Sequence, residues 1–205
     1  MGKTAMNLEG YSRLDTRSPI WDQVYTVAPL VIIGTLEADS YDLAPKHMAS
    51  PLGFENYFGF VCTPAHQTYH NVKQYQEFSV SFPLPDQVIA TSLTAANRQG
   101  VSSKSASVLD ALEVSWAQTI NTPVIAGAYM YLECALHKIV DGFGTNSLIT
   151  GYIHDAYINK DLKRFNEVDE AAQIAANPLL AYIANGRFAK IEETYNFPFP
   201  KDFSK

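Results

Sequence analysis

The stretch that decides the fold is VIAGAYMYLECALHKIV at 124–140, DGFGTN at 141–146 and SLITGYIHDAYIN at 147–159. The two flanking runs are rich in β-branched and aromatic residues, the composition of strands. Between them stand Asp141, Gly142, Gly144 and Asn146, the residue types that a tight hairpin connection needs. A long antiparallel hairpin is predicted here, and the rest of the chain is read outward from it.

Toward the N-terminus, EFSVSFPLP (77–85) alternates Phe78, Val80 and Phe82 on one face. That predicts a half-buried strand stopped by Pro83 and Pro85. VYTVAPLVIIGTLE (24–37) reads as one long strand or two short ones, ADSYD (38–42) as a turn, and NYFGFVCT (56–63) as a further strand. LAPKHMASPLGF (43–54) contains two prolines, which exclude a helix interior, so it is expected to be extended or irregular. HQTYHNVKQYQ (66–76), just after Pro64, predicts a helix. Short helices are also expected over 86–97, with Asp86 as N-cap, over 107–118, and within DEAAQIAAN (169–177). PLLAYIANGRFAKIEE (178–193) reads as a last strand-like segment with Gly186 inside it. No internal repeat occurs. Six or seven strands with irregularly placed helices do not make βαβ units. The fold class is therefore mainly β: an antiparallel barrel with helical insertions, preceded by an arm over 1–20 and followed by a tail over 196–205.

Composition bounds the function. The chain has 205 residues, a net charge of −6 and 25 aromatic residues (12 Tyr, 11 Phe, 2 Trp). The acidic balance argues against a dedicated nucleic-acid binder. No apolar run is long enough to span a membrane as a helix, and MGKTAMNLEGYSRLD lacks the apolar core of a secretory signal. Two cysteines are too few for a disulfide framework, so a cytoplasmic setting is expected.

The chain has no GxGxxG, no P-loop and no GxSxG. Cys62, His66 and His70 stand at intervals of four and could hold a zinc ion, but Pro64 breaks the helix that would align them. A metal-binding protein is kept as a distant alternative. More is offered by 42–71. Proline-kinked backbone, Lys46, His47 and a helix start at Thr68 together supply the donors that an anion requires. The Gly- and Ser-rich loop RQGVSSKSAS (98–107) adds Arg98 and Lys104, which suit a phosphate of a cofactor or of a nucleotide substrate.

Several short motifs occur in a telling order: D-L-A-P at 42–45, H-Q-T-Y-H-N-V at 66–72, Q-E-F-S-V-S at 76–81, Leu132-Glu133-Cys134, Gly151-Tyr152-Ile153, Pro178-Leu179 and Gly186-Arg187-Phe188. Together they resemble the flavin reductase-like, FMN-binding split-barrel family over about residues 25–192. Two positions depart from its pattern: Asp42 stands for an Asn and Gln67 for an Asp. A carboxylate at Asp42 would repel a phosphate unless neutralised, a role that Lys46 could fill.

The resemblance implies a Greek-key split barrel that dimerises and holds FMN near the subunit interface. FAD or riboflavin could stand in for FMN, with NADH or NADPH as hydride donor. It implies a cofactor site drawn from Ala44, Pro45, Lys46, His47, Met48, Cys62, Thr63, His66, Thr68, Asn71 and Lys104, with segments 43–48 and 61–63 along the flavin ring. Lys46 and Thr68 are expected beside the phosphate. The function implied is an NAD(P)H-dependent flavin oxidoreductase. A non-enzymatic flavin carrier is the alternative.

Overall fold

The computed structural model describes residues 5–97, 104, 106–164 and 167–201. Its centre is a seven-stranded antiparallel sheet. In chain order the first strands are β1 (Val27–Pro29), β2 (Val31–Glu37), β3 (Ser40–Lys46), β4 (Ala49–Pro51) and β5 (Tyr57–Cys62). Helix α1 (Gln67–Tyr75) leads to β6 (Glu77–Phe82), then α2 (Val88–Leu93) and α3 (Ala106–Asp110). There follow β7 (Val114–Trp116), β8 (Pro123–Ile125), β9 (Met130–Phe143), β10 (Asn146–Ile158), α4 (Glu170–Ala176), β11 (Leu179–Ile183) and β12 (Arg187–Ile191). The large sheet runs β3-β2-β6-β9-β10-β5-β4, with β1-β11-β12 and β7-β8 as smaller sheets.

The strand order dictates the shape. β3 and β4 are the two edges of the seven-stranded sheet, yet only His47 and Met48 separate them in sequence. Three Cα–Cα steps span at most about 11 Å. The sheet therefore has to curl until its edges nearly meet, forming a barrel with a seam, which is the expected split barrel. Lys46 and His47 lie at that seam.

Inside the curl sits a core that includes Ile33, Phe58, Phe60, Val72, Phe78, Val80 and Ile149, all buried. Two glycines allow close approach. A Cβ on Gly34 in β2 would collide with the Pro123 carbonyl of β8, which packs across the sheet at that point. A Cβ on Gly151 in β10 would lie 2.5 Å from the Phe78 ring. The predicted hairpin is β9–β10, turning at Gly144, whose φ of +65° suits a residue without Cβ.

Several expectations are corrected. Among the described residues twelve strands form, not six or seven. The segment expected to be irregular supplies β3 and β4, and Pro45 is accommodated because β3 is an edge. β6 is central and buried on both faces: Ser79 and Ser81 hydrogen-bond to Pro123 and Ile125 of β8, which covers the face expected to be solvated. Over 86–97 the helix is only 88–93, preceded by a 3-10 turn at Pro85–Gln87, and Asp86 does not cap it. The 107–118 helix ends at Asp110, and Val114–Trp116 is a strand. The run at 124–140 breaks between β8 and β9 at Gly127, with φ +77°. The last segment is a hairpin, β11–β12, rather than one strand. Among the described residues, no helix is long and apolar enough to cross a membrane.

Candidate functional site

The seam carries a cleft of about 290 Å³. One wall is β3, with Asp42, Ala44, Pro45 and Lys46. The opposite wall is the start of α1 and the turn after α2, where the small residues Ala95 and Ala96 keep the space open. His66 is the N-cap of α1, but its side chain makes no capping bond. The first N–H groups of a helix have no acceptor within it. Gln67 and Thr68 therefore present backbone donors at this cleft, on the positive end of the helix dipole.

Deeper in the cleft is a buried ion pair. Lys104 Nζ lies 2.8 Å from Asp42 Oδ1, and both side chains are 6% exposed. The same ammonium donates to the Leu43 carbonyl, an acceptor on the edge strand. The Thr68 hydroxyl donates to the other carboxylate oxygen, Asp42 Oδ2, at 3.2 Å. The carboxylate is thus neutralised by Lys104, not by Lys46 as the sequence suggested. Lys46 makes no ion pair among the described residues. Its charge is available to the cleft and is felt by its neighbours. Burial first, and the Lys46 charge second, hold His47 below the usual imidazole range. Partial loss of solvent at its ring, and then the Lys46 charge, do the same to the largely exposed His66, with Asp42 pulling the other way. Both rings are held toward the neutral form, so Lys46 is the cation that the cleft offers to a ligand.

Of the eleven residues singled out from sequence, six line this cleft: Ala44, Pro45, Lys46, His66, Thr68 and Lys104. The other five do not. His47 lines a neighbouring cleft, stacked on Tyr182 with ring centroids 4.6 Å apart. Met48 is exposed, and its carbonyl accepts the Val61 N–H at 2.8 Å, so these backbone groups are engaged with each other. Cys62 is in the core, where burial pushes its thiol up despite nearby Lys46. Thr63 holds the turn before α1 by accepting the Ala65 N–H. Asn71 is buried and donates to Thr35 at 3.0 Å, tying α1 to β2.

Cys62, His66 and His70 do not converge: the first is in the core and the two histidines are exposed. Among the described residues no cluster of His, Cys, Asp or Glu could hold a metal. Arg98 and most of the loop 98–105 lie outside the described residues; Lys104 alone is placed. Sequence reasoning missed Thr94–Asn97, which complete the cleft. The small residues of that stretch were the available signal.

The flavin reductase like domain matches residues 25–191 of this chain. The chain belongs to that family. This flavin reductase-like protein is similar in structure to 2-nitrobenzoate 2-nitroreductase NbaA of Pseudomonas fluorescens, with TM-score 0.75, 17% identity, and 98% of this chain and 99% of that chain covered. It is also similar to an FMN-binding protein from Thermus thermophilus with bound p-hydroxybenzaldehyde, with TM-score 0.68, 18% identity and coverage of 84% and 91%. A third similar structure is the NADH:FAD oxidoreductase SgcE6 of Streptomyces globisporus C-1027, with TM-score 0.64, 16% identity and coverage of 81% and 87%. At these identities the likeness is one of fold. No curated protein matches this flavin reductase-like protein in sequence.

Proposed function

We propose that the protein is an FMN-dependent oxidoreductase that takes hydride from NADH or NADPH, and that it works as a homodimer. The observation that carries the reading is the seam cleft, in a chain whose family is built around flavin. The donor set fits a phosphate monoester: the ammonium of Lys46 and the unpaired N–H groups of Gln67 and Thr68 at a helix N-terminus. Asp42 does not spoil the fit, because Lys104 offsets its charge.

When bound, the flavin supplies hydride acceptance from the nicotinamide, chemistry that belongs to the cofactor. The chain's residues bind and orient. Lys46 and the α1 terminus hold the phosphate end. Lys104, locked between Asp42 and the Leu43 carbonyl, fixes the floor of the cleft. Pro45 lines both this cleft and its neighbour, so a ligand anchored at its phosphate here lies next to the second cleft. No general acid or base is needed for hydride transfer. That agrees with His47 and His66, the His side chains at the seam among the described residues, both being held toward the neutral form.

The test begins with the absorbance spectrum of the purified protein and the mass of any released chromophore. NADH and NADPH oxidation is then followed with FMN, FAD and riboflavin. FMN binding with pyridine-nucleotide oxidation supports the reading. Bound flavin without such oxidation assigns the chain to electron carriage, and no flavin binding overturns it.

A further inference from the structure

A second cleft, of about 420 Å³, opens on the other side of Pro45 and Ala95, which line both clefts. Its character differs from the first. Leu30, Val88, Phe188 and the stacked pair His47–Tyr182 give it apolar and aromatic walls. Among the described residues Arg187 is its only permanently charged lining residue, since His47 is held toward its neutral form. The guanidinium makes no ion pair among the described residues.

The backbone position of Arg187 is also fixed. It opens β12 directly after Gly186, whose φ of +76° is a backbone state that side chains disfavour. The Gly186 N–H donates to the Tyr182 hydroxyl at 2.9 Å. One tyrosine therefore does two things. Its ring stacks on His47 to form a wall, and its hydroxyl fixes the turn that delivers Arg187.

A flat aromatic surface beside one unpaired planar guanidinium has a definite chemical complement. Stacking selects a planar ring. The fork of donors on arginine matches a carboxylate, which it can bind through two parallel hydrogen bonds. We infer that this cleft is a subsite for a planar aromatic carboxylate, the second substrate of the flavin site, with Arg187 on the carboxylate and the His47–Tyr182 pair against the ring. The role as second substrate rests on the flavin reading above; the binding itself does not.

The experiment is equilibrium dialysis of the full chain, as purified, with 2-naphthoate and with its neutral isostere 2-naphthamide. The wild type is expected to prefer the carboxylate by about 10-fold or more, the value of a charge-assisted hydrogen-bonded contact. Arg187→Ala, at an exposed strand position, should abolish that preference and leave naphthamide affinity unchanged. Tyr182→Phe keeps the ring and loses the turn clamp, so it should weaken naphthoate more than naphthamide. FMN titration of the same variants separates the two readings. Unchanged FMN affinity with lost naphthoate preference supports the subsite. Absence of FMN binding with intact naphthoate preference overturns the flavin reading and the second-substrate role, and leaves the carboxylate site standing. Equal affinity for acid and amide in the wild type overturns the inference. So does an unchanged preference in Arg187→Ala. A rise in the KM for NADPH in Arg187→Ala, with no change in naphthoate binding, would assign the arginine to the nucleotide instead.

Discussion

Lys46 and Lys104 lie in one cleft but do different work, and substitution should separate them. Lys104 is buried against Asp42 and Leu43. Removing one partner of a buried pair leaves a charge in a poor solvent and costs about 3–5 kcal/mol. Lys104→Met is expected to lower stability by roughly that amount in urea unfolding, and Asp42→Asn with Lys104→Met to recover much of it. Lys46 touches solvent and has no carboxylate to satisfy. Lys46→Ala should leave the unfolding midpoint nearly unchanged and weaken FMN binding about 10- to 150-fold, the range for a lost charged hydrogen bond. Unchanged flavin affinity would remove Lys46 from the phosphate site. Thr68 behaves as a member of the buried pair, since its hydroxyl is held by Asp42. Its loss should show first in stability. The sequence brought Asp42, Lys46 and Thr68 to notice. It did not reveal which lysine met the carboxylate, because residues 42 and 104 lie 62 positions apart and become neighbours only in the folded chain.

At the level of elements, legibility followed local periodicity. The β9–β10 hairpin was readable because its turn chemistry and β-branched flanks are contained in one stretch. Helix α1 was readable from Pro64 and its polar spacing. β6 was recognised as a strand, but its second buried face was not. Ser79 and Ser81 look solvated until β8, more than 40 residues away, lies across them and takes their hydrogen bonds. β11 and β12 were merged because apolar residues run on both sides of Gly186 and only its positive φ marks the turn. The same close crossing at β8 gives a prediction. Gly34→Ala would drive a methyl group into a backbone carbonyl, whereas Gly151→Ala meets the edge of one phenyl ring. Overpacking costs typically about 1–3 kcal/mol. Gly151→Ala is expected within that range, and Gly34→Ala at its top or beyond, because backbone yields less than a side chain. Urea or thermal unfolding of the two variants checks the order; a smaller loss for Gly34→Ala would contradict the packing of β8 on β2.

For the whole molecule, the decisive feature is the seam. Curling a seven-stranded sheet until β3 approaches β4 leaves two sheet edges side by side, and the seam cleft opens on one of them. The expectation of a dimer belongs at this scale. The small sheet β1-β11-β12 ends in the open edge β12, with Phe188 about half exposed, and Val27 at its other edge is 71% exposed. Open apolar edges of this kind are normally covered. Trp21 and Tyr25, just before β1, are exposed as well. A second copy lying on this sheet would bury them and would sit next to the cleft that holds Arg187. Light scattering should then give a mass near twice 22.7 kDa. If the partner also closes the flavin site, dilution through the dimer dissociation constant should lower FMN affinity in step with the mass. Phe188→Glu should shift both curves to higher protein concentration without altering the circular dichroism spectrum. A monomer at micromolar concentration with undiminished FMN affinity would show that one chain suffices for the site and that the exposed edge serves something else.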